Sequence, residues 1–168
     1  MKRICFTTLL ILCGLSIHAQ KIKNGSFHAL ANESKVNLTL DYTESTIDNM
    51  PFETFLEVEE HWEKGYREIV LKLIKSANQY SNKLIYTTKK ETNYQLVYKA
   101  ISVSRTGYTN GYLILLDKDK NVVGETDNYY INGGRYGSQL NLMGDASENI
   151  GKNIAKFINK QIKKAVKR

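Results

Sequence analysis

The chain has 168 residues, a formal net charge of +7, one proline and two cysteines. That length supports one ordinary domain with a sizeable core. Both cysteines, Cys5 and Cys13, fall within the first nineteen residues, so beyond them the sequence excludes disulfides, thiolate catalysis and zinc sites built on sulfur.

Residues 1–19 predict a signal peptide. Lys2 and Arg3 form a positive start, and Ile4 to Ile17 is apolar but short for a membrane span. Ala19 offers a small residue at the cleavage point, which leaves Gln20 as the expected mature start. A lipid anchor at Cys13 is the rival, disfavoured because Leu12 stands where lipoprotein signals carry a small residue. The expectation is a periplasmic or secreted protein.

Residues 20–168 read as a single α+β domain. Residues 35–42, KVNLTLDY, alternate apolar and polar like a half-buried strand. Asp48 or Asn49 can cap a helix that has Pro51 near its first turn. A stripe from Phe52 through Phe55, Trp62, Tyr66, Ile69 and Leu73 to Ala77 keeps helical spacing, with Gly65 as the expected kink or split. Strands follow at 84–90, 94–104, 112–116, 121–131 and 138–143. A last helix is expected to open at Asp145, with Glu148 completing a capping box. Ile150, Ile154, Phe157, Ile158, Ile162 and Val166 mark its buried side. The expected order is strand–helix–strands–helix, with about five to six strands, mostly antiparallel, and two long helices.

The glycines of INGGRYGSQL, residues 131–140, pose the question of a phosphate site. The required spacing of a P-loop is absent: Gly144 and Gly151-Lys152 stand too far apart, and Asn153 replaces the hydroxyl residue. Asn110-Gly111 and Asn132-Gly133 read instead as hairpin turns. DKDKNVVGETDN, residues 117–128, starts like a calcium loop but has Val122 at position six and Asn128 at position twelve, so it reads as a solvated turn. His28 and His61 stand alone, and no hydrolase elbow is present. No catalytic residue, metal site or cofactor is assigned, although carboxylates brought together by folding could still form an enzyme or small-ligand site.

In a meander of the later strands, loops 105–111 and 132–137 share one end of the sheet and 117–121 takes the other. The shared end collects Arg105, Tyr108, Arg135 and Tyr136, with Asn110, Asn132, Tyr112, Tyr129 and Tyr130 near them. Tyrosine and arginine are the side chains that most often anchor interfaces, so these four are the candidate binding residues. The bland alternative is an ordinary set of polar hairpin tips. Residues 151–168 carry seven basic side chains and no acidic one, from Lys152 to Arg168. A helix of that kind can touch an anionic membrane weakly, while its apolar side is expected to pack on the sheet. Nucleic-acid binding is not expected, since no recognition motif accompanies the charge.

The order KVNLTLDY, the Phe55–Trp62 helix, NYQLVYKAISV and GKNIAKFINKQIKK, with Tyr94, Gly107 and Gly151-Lys152, resembles small secreted proteins of Gram-negative envelopes. More loosely, the plan is similar to the domain shared by curli-secretion lipoproteins and the TolB amino-terminal region. The resemblance implies a non-catalytic binding or assembly module with an envelope protein as partner.

Overall fold

The computed structural model describes residues 20–167; the expected signal segment and Cys13 lie outside them. The strands are β1 (Ile22–Gly25), β2 (Lys35–Asp41), β3 (Thr46–Ile47), β4 (Met50–Pro51), β5 (Ile85–Thr87), β6 (Tyr94–Val103), β7 (Thr109–Asp117), β8 (Val122–Thr126) and β9 (Tyr129–Ile131). The helices are α1 (Phe52–Val58), α2 (Trp62–Tyr80) and α3 (Gln139–Val166), with a 3-10 turn at His28–Asn32. The fold is α+β, in one domain.

The sheet runs β1-β8-β7-β6-β2-β5, with β3 on β6, β4 on β3 and β9 on β7. It is mixed: five of its eight strand pairings are antiparallel, while β2 lies parallel to both β5 and β6, and β3 is parallel to β6. The helical crossover through α1 and α2 explains this. A chain that leaves a strand through helices returns to the same end of the sheet and must pair parallel.

Alternation along β6 and β7 buries Leu96, Tyr98, Leu113 and Leu115 on one face, where α2 and α3 cover them. Thr39, Gln95, Val97, Lys99, Ile114 and Leu116 line the opposite, open face. Along α3, Gly144, Ser147 and Gly151 form the closest contact with α2. A side chain at Gly151 would collide with the Leu73 carbonyl, and the Ser147 hydroxyl lies 2.8 Å from the Ile69 carbonyl. The two glycines of the rejected P-loop are therefore places where helices touch.

Several local expectations are corrected. SQLNLM at 138–143 is no strand: α3 begins at Gln139, and the Ser138 hydroxyl accepts from the Asn141 amide. Its apparent alternation is too short to decide, while Met143 extends the buried stripe of Ile150 and Ile154 backward by one heptad. Asp145 does not open the helix but pairs with Lys72 at 2.9 Å. Val166, expected in the buried stripe, is 75% exposed. The helix break falls at residues 59–61, not at Gly65, whose missing side chain admits Leu140. Asp48 and Asn49 cap nothing; both have positive φ (49° and 66°) and turn the chain between paired Ile47 and Met50 as a two-residue hairpin. The strand expected over 84–90 is only β5, and that over 121–131 is split into β8 and β9 at residues 127–128.

Neither Asn-Gly pair is a turn. Asn110-Gly111 lies inside β7, where Gly111 leaves room for the Tyr98 ring, and neither Asn132 nor Gly133 has positive φ. The chain turns at Ser104–Tyr108, with Gly107 at φ 75° closing a three-residue loop.

Candidate functional site

The Ser104–Tyr108 turn and the 132–138 segment meet at one end of the sheet. Ser104 organises the first: its amide donates to the Tyr108 carbonyl at 2.8 Å, and its hydroxyl accepts from the Tyr108 amide at 3.1 Å. The second segment is tied down at both ends. Asn149 donates its amide to the Asn132 carbonyl at 3.0 Å, and Gln139 reaches across to the Ser104 carbonyl at 3.1 Å. Between them the backbones of Gly107 and Gly133 touch, with no space for a side chain on Gly133, and Gly107 rests on Leu142 of α3. The two loops form one platform fastened to the start of α3.

All four candidate residues stand exposed on this platform. Tyr136 is 89% and Tyr108 51% exposed, and Arg105 and Arg135 are exposed as well. Neither arginine has a carboxylate partner among the described residues. The structure thus brings the loops together and leaves the four side chains exposed. Two large aromatic rings lie open to solvent on loops tied to the start of α3.

The neighbouring tyrosines divide. Tyr129 is in the core, its ring 5.6 Å from that of Tyr98, edge to face, and Tyr112 lies half-exposed on a strand away from the loops. Burial holds the Tyr129 and Tyr98 hydroxyls far above the ordinary tyrosine range. Tyr130, 74% exposed, belongs to a different surface.

At the far end, the turn at 117–121 is the solvated turn the sequence indicates. The Asp117 carboxylate accepts from the amides of Asp119 and Asn121, both at 2.9 Å, and Lys120 has φ 68°. The Asn121 hydrogen bonds hold the Asp117 carboxyl below its usual range. Among the described residues no group of three His, Cys, Asp or Glu side chains could hold a metal ion, and no helix is long and apolar enough to cross a membrane.

Sequence reasoning missed a second concave surface. A trough of about 710 Å³ runs between α3 and the strands β1 and β9, lined by Lys21, Lys156, Lys160 and Lys164 above Tyr129, Ile131 and Phe157. The four-residue repeat of lysines from Lys152 to Lys164 was its visible signal; the strand edge beneath it came only with the fold.

No known protein family matches the chain, and no curated protein does. Among solved structures, it is similar to a singly substituted form of the PelC dodecamer from Paraburkholderia phytofirmans, at 14% identity and a TM-score of 0.43, over 82% of this chain and 97% of that one. It is also similar to protein XCC0632 of Xanthomonas campestris, at 7% identity and a TM-score of 0.44, over 80% and 88%. The comparisons do not show the likeness to the curli-secretion lipoproteins or the TolB amino-terminal region.

Proposed function

We propose that the protein is a non-catalytic binding module of the cell envelope, exported by the segment before Gln20. It engages a protein partner through the loop platform. Arg105, Tyr108, Arg135 and Tyr136 are its contact residues.

The exposure of Tyr136 and Tyr108 on a fixed backbone carries this reading. A solvated tyrosine on a mobile loop is ordinary. Here the loops are joined by backbone contact at Gly107 and Gly133 and by hydrogen bonds from Gln139 and Asn149. The two unpaired guanidinium groups add donors that fit carboxylates or backbone carbonyls of a partner. The start of the chain, with its short positive segment and apolar run, supports the envelope location.

A photo-crosslinking amino acid placed at position 136 tests the contact in living cells. It is expected to join the protein to one discrete partner band in the envelope fraction. The same group at Lys118, at the opposite end, is expected to yield none. Equal, diffuse labelling from both positions would remove the case for a specific surface.

A further inference from the structure

The second surface has its own chemistry. β9 pairs with β7 along one edge only, and β1, which continues beside β8, stops short of it: the Asp127 amide donates to the Lys21 carbonyl, and no described strand pairs with Tyr129–Ile131 on that side. An unpaired edge offers backbone donors and acceptors to an incoming strand. Lys160 and Lys164 stand beside that edge on successive turns of α3, with Lys21 across from them; Lys156, one turn earlier, also lines the trough and holds its ammonium 5.4 Å from the centre of the Tyr80 ring. No carboxylate lines the trough, and none of these lysines has an ion-pair partner among the described residues.

We propose that this trough binds an extended acidic segment of a partner polypeptide, added as a strand along the outer edge of β9. Two features select that occupant over other anions. Lysines four residues apart on a helix rise by about 6 Å, and alternate side chains of a strand are spaced about 6.6 Å apart, so acidic residues at every second position meet successive lysines. The floor is apolar, with Phe157 and Ile131 buried, and it receives the intervening side chains. A bilayer presents a broad flat surface, whereas these lysines line a concave groove beside a strand edge. This surface is independent of the loop platform.

The test is binding of a capped peptide with glutamate alternating with valine, measured by fluorescence anisotropy with the purified protein. Saturable binding that weakens steeply with salt is expected, because the charges are exposed. Lys156→Glu/Lys160→Glu/Lys164→Glu is expected to weaken it at least tenfold with an unchanged melting temperature. The same peptide N-methylated at alternate residues keeps its charge but loses strand pairing, and it is expected to bind at least tenfold more weakly. Tyr136→Ala is expected to leave peptide binding unchanged, which separates this site from the platform. Equal binding of the methylated peptide would overturn strand addition. Binding to phosphatidylglycerol vesicles with no affinity for the peptide would overturn the proposal in favour of a membrane surface. Peptide binding that survives the triple reversal would place the site elsewhere.

Discussion

Gly133 lies flush against the backbone of Gly107, and the contact is what makes one surface of two loops that are 26 positions apart in the chain. A side chain on Gly133 would strike the Gly107 carbonyl, which is backbone and cannot step aside as a flexible side-chain tip could. Gly133→Ala is therefore expected to cost about 1–3 kcal/mol, the usual range for an added methyl in a tight place. Urea denaturation measures the loss, and amide hydrogen exchange should show faster opening at Gly107 and Tyr108 than in α2.

The helix pair should be as sensitive. Gly151 faces the Leu73 carbonyl across the α2–α3 contact. Gly151→Ala gains helix propensity, worth about 1 kcal/mol, yet the clash forces two helices apart along the core. A net loss of stability is expected in thermal melting. An increase would mean that α2 yields to the methyl at little cost.

Trp62 is the only tryptophan, and it stands among Phe52, Phe55, Tyr42 and Tyr66, with ring centroids between 5.1 and 5.9 Å. This cluster fastens α1 and the start of α2 to the end of β2. Trp62→Ala is expected to destabilise the domain by about 3 kcal/mol, followed by circular dichroism because the fluorophore is gone.

Alkaline pH should unfold the protein. Burial raises the ionisation of Tyr42, Tyr86, Tyr98 and Tyr129 above the ordinary value of 10.0. Each is more easily ionised in the unfolded chain than in the folded one. Their contribution to stability is thus complete below pH 10 and is lost as pH rises beyond it. Absorbance at 295 nm should show these four of the eleven tyrosines ionising only as circular dichroism reports unfolding. Smooth titration of all eleven with the fold intact would contradict the buried placement.

The helices and central strands were legible because their periodicity is long. The Phe55–Ala77 stripe, the alternation of Val36–Leu40 and the Ile150–Ile162 stripe each reflect a face that the fold buries. Short segments misled. Residues 138–143 alternate as a strand does, and only the Ser138 cap and the demand of the core for Met143 make them helix. The Asn-Gly pairs are good turn formers, but Gly111 is taken up by the need to clear the Tyr98 ring, so the turn moved to Gly107. The shared loop end was legible all the same, since it depends on β6 and β7 being antiparallel and on β9 returning along β7, not on the turn chemistry. The parallel pairing of β2 was not, because nothing in a strand's own residues states which neighbour a helical crossover will deliver.

The affinity of the envelope partner for Tyr136→Ala, compared with the wild type and Lys118→Ala, tests the central claim most directly. Truncating the anchor of an interface costs about 2 kcal/mol or more, so binding should weaken by about tenfold or more. Tyr136 is 89% exposed, so the melting temperature should stay nearly unchanged, and Lys118→Ala, at the opposite end of the sheet, should alter neither quantity. Undiminished binding of Tyr136→Ala to the partner, at an unchanged melting temperature, would contradict the assignment of the loop platform as the contact surface.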